Sequence, residues 1–188
     1  MALRGDPPKG NDRFVAADGG LQYANELVEL IREKFSHFGI AVAGYPEVHQ
    51  EAPSAQTDLD NLKRKVDAGA NAAITQYFYN ADAYCNFVES CDKAGIGIPV
   101  VPGIMPITNY IQLARFSDAT GAEIPRWIRK KLEAYGDDLE SLRLFGEEVV
   151  TYLCNKLLDA GAPGLHFYTM NQSGPTMKLW KNLGLDRE

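Results

Sequence analysis

The chain has 188 residues, 45% hydrophobic and 23% charged, a composition that excludes a disordered segment and suits one domain built on a single core of about 100 to 200 residues. Its formal net charge of −6 gives no basic footprint for displacing counterions from phosphates, which excludes an ordinary nucleic-acid binder. No apolar run reaches the roughly 18 residues needed to cross a bilayer, and the opening MALRGDPPKG has no apolar leader, so a soluble, cytoplasmic protein without a membrane partner is expected.

In chain order, Arg4-Gly5-Asp6-Pro7-Pro8 reads as the loop after a strand, although only Met1, Ala2 and Leu3 precede it. Tyr23, Leu27, Leu30, Ile31 and Phe35 recur at helical spacing, and the apolar run Ile40 to Gly44 predicts a strand. Leu59, Leu62 and Val66 mark a second helix, Ala73 to Tyr77 a second strand, and Asp82 to Lys93 a third helix. A strand at Pro99 to Pro102 follows, then a helix from Ile111 to about Ser117. Between Asp118 and Asp137, Pro125 and Trp127 suggest a short extra helix before a long one from Asp138 to Leu158, and Gly164 to Tyr168 closes the series as a strand. Gly69, Gly95 and Gly161 each fall where a helix should end in a left-handed residue.

Strands alternating with helices predict βα units and a parallel sheet within one domain covering residues 1–188. The near-continuous apolarity of each strand predicts burial on both faces. Four βα units are readable and a fifth is implied. A (β/α)₈ barrel needs eight strands and typically about 250 residues, so a chain of this kind is expected to be N-terminally incomplete, holding strands from about the fourth or fifth to the eighth. The two open edges would invite pairing with another chain.

In parallel α/β folds, ligands bind at the carboxyl ends of the strands. That rule selects Arg4-Gly5-Asp6, Tyr45 to His49, Gln76-Tyr77, Pro102-Gly103-Ile104 and Tyr168 to Asn171. Gln76 could offer donor and acceptor to a heterocycle edge, or be a core amide satisfied by a neighbouring strand. Asp58, Asn61 and Lys65 share a helix face with Arg64 beside them; such a face suits hydroxyls and phosphates, but from spacing alone a solvated charged face is the stronger reading. His49 is open between a loop role and a ligand contact, His166 reads as core and His37 as solvated. Cys85 and Cys91 read as small apolar filling; with Cys154 they make an odd count without a CxxC pair, so neither a disulfide framework nor a metal site is expected. Rossmann, P-loop, α/β-hydrolase and zincin motifs are missing.

The runs ALRGD, AGYPEVHQEA, DLDNLKRKVDAGANAAITQYFY, VPGIMPITN and GLHFYTMN, in this order, resemble methylenetetrahydrofolate reductase of the bacterial type across essentially the whole chain. The resemblance implies a TIM-type (β/α)₈ barrel that holds FAD at its C-terminal rim and uses NAD(P)H to reduce 5,10-methylenetetrahydrofolate to 5-methyltetrahydrofolate, a step that supplies methyl groups for methionine. Carried over by motif, Arg4, Gly5 and Asp6 would contact FAD, with Asp6 also beside the folate as the catalytic carboxylate. Ala24, Tyr45, His49 and Ala52 would line the flavin site, and Asp58, Asn61, Arg64 and Lys65 would hold its ribityl, phosphate or adenosine parts, which reverses the solvated-face reading. Gln76 and Gln112 would bind the folate, with Phe116 supplying an apolar surface. Where the family often has an Arg after Tyr-Thr-Leu-Asn, this chain has Gln172, an amide without charge.

The family's general acid, a Glu at the end of the first barrel strand, has no counterpart in this sequence. The expectation is therefore a member of the reductase family; the alternatives are an inactive flavin-binding remnant, or one half of a split enzyme needing an N-terminal partner. In isolation such a chain is expected to bind flavin weakly and turn over negligibly. A plain α/β binding protein is a further alternative. Full-length family members tend to form homo-oligomers.

Overall fold

The computed structural model describes residues 1–5, 7 and 14–186. Four parallel strands, β1 (Ala41–Gly44), β2 (Ala72–Tyr77), β3 (Val100–Ile104) and β4 (His166–Phe167), lie side by side in chain order. Helices α1 (Ala24–Lys34), α2 (Ala55–Asp67), α3 (Ala81–Lys93), α4 (Tyr110–Thr120), α5 (Arg126–Tyr135), α6 (Leu139–Asp159) and α7 (Ser173–Asn182) complete the chain. Because crossovers between parallel strands are right-handed, an order that never reverses stacks the connecting helices on one side of the sheet.

The helices begin where polar caps stop the orphan amide groups of a first turn from going unpaired. Ser54 Oγ accepts from Thr57 N at 3.1 Å, Asn80 Oδ1 from Asp82 N at 3.0 Å, Asn109 Oδ1 from Gln112 N at 2.9 Å and Asp138 Oδ1 from Ser141 N at 3.0 Å. At the other ends, Gly69, Gly95 and Gly161 all adopt positive φ, as their positions required. Each anticipated helix forms, including the short one, α5, whose Ile128 and Leu132 are buried. No helix among the described residues is long and apolar enough to cross a membrane.

The core lies between sheet and helices: Val42, Ala73, Phe78, Ile104, Ile128, Val150 and Leu157 are fully buried. Burial on both strand faces is found in β1 and β3, where the consecutive residues Val42, Ala43 and Gly44 and Pro102, Gly103 and Ile104 are buried, but not in β2. In β2, Ala73, Thr75 and Tyr77 are buried, whereas Ala72, Ile74 and Gln76 are only partly so. The less covered face of β2 is the one that carries Ala72, Ile74 and Gln76. Ahead of β1, Ala2 forms a single parallel bridge to Val42, with its N–H donating to Ala41 O at 2.8 Å.

Between Ile74 and Tyr77 the β2–β3 register slips. Thr75 takes up the irregularity with both its acceptors: its hydroxyl accepts from Gly103 N at 2.9 Å, and its carbonyl accepts from Tyr168 Oη at 2.9 Å. Gly103 admits this approach because a Cβ there would lie 2.2 Å from Thr75 O and 2.6 Å from Tyr168 Cε2. Three strands are thus tied together near the rim where their chains exit.

Candidate active site

The exit of β1 is held as a tight turn. Val48 N donates to Tyr45 O at 3.2 Å, Ala52 N to His49 O at 2.9 Å, and Val48 itself has φ 69°. A β-branched residue in that left-handed region costs about 1–3 kcal/mol, the kind of strain that collects at functional turns. The turn sets the Tyr45 and His49 rings edge to face, 4.6 Å between centroids. His49 N donates to Asp58 Oδ2 at 3.0 Å and its Nδ1 accepts from Glu51 N at 3.1 Å, so the first bond holds the His49 backbone and the second its ring.

Asp58 and Lys65, two turns apart on α2, point under this turn. Asp58 is 9% exposed, and Lys65 Nζ donates to Ala43 O at 2.5 Å while lying 5.9 Å from the Tyr45 ring centroid. Burial lowers the Lys65 pKa to about 8, partly opposed by the nearby Asp58 charge. Burial likewise raises the Asp58 carboxyl above its usual range, opposed by the His49 N–H and by Lys65. The solvated-face reading therefore fails for these two residues. It holds for Arg64, which is exposed, donates to Asn61 Oδ1 at 2.7 Å and faces a groove with Arg32 and Asp67 on the outer surface.

Arg4 grips Glu51 with both guanidinium nitrogens, at 2.7 and 3.0 Å, and lies 4.8 Å from the Phe14 ring centroid. The pair crosses from the Ala2 segment to the β1 turn and holds the Glu51 carboxyl below its ordinary pKa. Gly5 has φ 83° and is exposed. Ala24 opens α1. Asp6 lies outside the described residues.

Two clefts open at this rim. One, lined by Tyr45, Glu47, Gln76 and Thr120 among others, joins the exits of β1 and β2. Gln76 Oε1 accepts from Tyr77 N at 3.0 Å, a bond that leaves the amide nitrogen for another partner. Glu47 Oε2 accepts from Glu123 N at 2.8 Å, and burial raises its pKa, with the Glu123 charge adding to the rise against that bond. The second cleft lies at the exits of β3 and β4 and is lined by Met105, Gln112, Leu113, Phe116, Tyr168 and Gln172. Gln112 and Phe116 thus share one wall of a single cleft.

Several expectations need correction. Pro102, Gly103 and Ile104 are not rim residues but the end of β3 itself, all buried; the rim begins at Met105. Cys85 is exposed, so only Cys91 and Cys154 fill core space. His166 is only partly buried and sets its ring edge-on to Tyr168. Helix α7 has no counterpart among the predicted elements; Gly174 and Pro175 stand in its first turn, where the missing N–H of a Pro leaves no gap.

The family model for methylenetetrahydrofolate reductase matches residues 1–184. The chain belongs to that family. It is 43% identical over 198 residues to methylenetetrahydrofolate reductase (NADH) 1 of Zea mays, which covers all of this chain and 33% of the maize protein. It is 42% identical over 185 residues to 5,10-methylenetetrahydrofolate reductase of Escherichia coli K12, covering 98% of this chain and 60% of that one. The chain thus spans about a third of the plant relative and under two thirds of the bacterial one. Among solved structures, an uncharacterized Clostridium thermocellum protein, described as binding two copies of 5-methyl-5,6,7,8-tetrahydrofolic acid, superposes with TM-score 0.61 at 17% identity, over 95% of this chain and 65% of that one. That likeness concerns the fold.

Proposed function

We propose that this chain serves the reduction of 5,10-methylenetetrahydrofolate to 5-methyltetrahydrofolate, with FAD held at the strand rim and NAD(P)H as electron donor. The observation that carries the reading is the convergence of Tyr45, His49, Asp58 and Lys65 on one turn beside Gln76, at the end of the sheet where parallel α/β folds bind ligands. The unreversed strand order and the half-covered sheet face carrying Gln76 support a (β/α)₈ barrel, whose interior that face would line.

The residues fit a phosphate-bearing aromatic cofactor. Lys65 is a desolvated cation at the rim, and a new anion beside it would recover charge that burial has penalised. The paired Tyr45 and His49 rings offer an apolar edge next to it, and Arg4 brings a second cation to the same turn through Glu51. When bound, FAD supplies hydride transfer between a nicotinamide and the folate. The chain's own residues do the rest: Asp58 fixes the His49 backbone, Lys65 holds an oxyanion, and Gln76 and Gln112 orient a pterin-like edge by amide hydrogen bonds. Phe116 gives that ligand a flat apolar wall. Asp6 is proposed as the carboxylate beside both ligands.

Titration of FAD into the purified chain, followed by quenching of flavin fluorescence, tests the reading. Saturation at one flavin per chain, weakened by Tyr45→Ala, is expected; fluorescence that never saturates would remove the flavin part of the proposal.

A further inference from the structure

One helix forms part of the wall of both clefts. In α4, Gln112, Phe116 and Thr120 are spaced four residues apart and so make one stripe along the helix, about 12 Å long at roughly 1.5 Å per residue. Gln112 and Phe116 line the cleft at the exits of β3 and β4, while Thr120 lines the one that holds Gln76. The placement of α4 therefore sets the spacing between Gln76 and Gln112, the two amides assigned above to one folate.

Little apolar packing holds this helix. Of its 11 residues, only Leu113 and Ser117 are buried. Polar ties to its C-terminal half make up for this, and they come from two strand exits. Tyr77, next to Gln76 on β2, sets its hydroxyl 3.1 Å from Ser117 Oγ, and Thr120 Oγ1 donates to the same oxygen at 3.4 Å. From the β1 turn, Glu47 Oε2 accepts from Glu123 N at 2.8 Å and Gln50 Nε2 donates to Asp118 O at 3.3 Å. Gly121 ends α4 at φ 75° and lets Gln50 lie against it, since a Cβ there would stand 2.7 Å from Gln50 Cγ. Glu47 is half-buried and directly precedes the strained Val48, so the turn that carries Tyr45 and His49 also aims this carboxylate at the end of α4.

We infer that Glu47, aided by Gln50, is a positioning residue for folate binding: it moors the C-terminal end of α4 to the β1 turn and so places Gln112 and Phe116 against the ligand. The inference rests on the folate reading above and adds to it a residue that acts through a helix. A backbone N–H donating to a carboxylate makes a charge-assisted bond, and losing it frees one end of a helix with few other contacts. What the role requires is an acceptor oxygen at this reach. A Gln amide offers one as well, without the charge.

Calorimetric titration of the full 188-residue chain with 5-methyltetrahydrofolate, FAD being in saturating excess for every variant, tests this. Glu47→Ala is expected to weaken binding about tenfold. Glu47→Gln should stay within about threefold of wild type, because its amide oxygen can still accept from Glu123 N. Gln50→Ala, at an exposed position that lines neither cleft, should weaken binding about threefold. In a Gln112→Ala background, where α4 has lost the amide it positions, Glu47→Ala should cost less than about threefold more. Should Glu47→Ala fail to fold, Gln50→Ala, alone and combined with Gln112→Ala, carries the same comparison. Wild-type affinity in Glu47→Ala or Gln50→Ala, a Gln variant as weak as the Ala one, or the full tenfold cost without Gln112 would each overturn the inference and leave the folate reading standing. A wild-type chain that binds no 5-methyltetrahydrofolate would overturn the two together.

Discussion

Asp58 and Lys65 make a burial cost that a ligand-free protein gains nothing from, and this can be measured. A shift of the Lys65 pKa from 10.5 to about 8 corresponds to about 3 kcal/mol of penalty on the charged form, at roughly 1.4 kcal/mol per unit. Asp58 adds to it, since its raised pKa means that the ionised form present at neutral pH is also disfavoured. Replacing both by neutral side chains of similar shape, Asp58→Asn with Lys65→Met, removes the two charges together and leaves neither stranded. Offset by the lost bond to Ala43 O, the double variant should be more stable by about 2 kcal/mol at pH 7, raising the Tm by roughly 4–8 °C for a chain of this size.

The pH dependence follows from the direction of the Lys65 shift. Below pH 8 the amine is protonated both folded and unfolded, so the folded state bears the full cost. Between about pH 8 and 10.5 the unfolded chain keeps a proton that the folded one has released, and stability rises through that window. The gap between wild type and double variant should therefore be widest near neutrality and close as pH climbs past 8; comparing the two cancels the thiols and phenols that also titrate there. Urea denaturation at a series of pH values gives the gap directly. A double variant that is less stable than wild type at pH 7, or a gap that widens with pH, would refute the assignment of these residues as a penalised pair.

Other outcomes follow from single contacts. Gly103→Ala would push a methyl into Thr75 O and the Tyr168 ring and should cost about 3 kcal/mol in a urea midpoint experiment. Tyr168→Phe removes only the hydroxyl bond to Thr75 O and should cost about 1 kcal/mol by the same assay. A thiol reagent should modify Cys85 rapidly in the folded protein, while Cys91 and Cys154, whose pKa values burial pushes up to about 11 and about 12, should react only on unfolding. Gln76→Ala should weaken folate binding about tenfold in a titration while leaving FAD affinity nearly unchanged, since it removes one amide's hydrogen bonds.

Much of the fold was legible because its signals are local. Period 3.6 in Leu59, Leu62 and Val66, caps such as Asn80 and Asp138, and glycines at 69, 95 and 161 each state an element or its end within a few residues. What was not legible depends on partners distant in sequence. Strand β3 runs two residues past its predicted end because Thr75, 28 residues earlier, accepts the Gly103 N–H. The apolarity of β2 could not reveal that its Ala72, Ile74 and Gln76 face is only half covered, since hydrophobicity records what a strand tolerates and not which layer is present.

The candidate site divides in the same way. Asp58, Asn61 and Lys65 share one helix face with Arg64 beside them, but only the packed structure separates the inward Asp58 and Lys65 from the outward Arg64. The second cleft is walled in part by Pro175 of α7, and that helix begins with Gly174 and Pro175, residues that in isolation argue against a helix.

The central claim is that this rim carries the reductase's flavin and folate chemistry, and anaerobic spectroscopy of the FAD-loaded chain addresses it most directly. NADH should bleach the bound flavin, and 5,10-methylenetetrahydrofolate added afterwards should restore the oxidised spectrum with formation of 5-methyltetrahydrofolate, slowly, because the general-acid Glu has no counterpart in this sequence. Bound flavin that NADH cannot bleach, or bleached flavin whose spectrum the folate cannot restore, would contradict it.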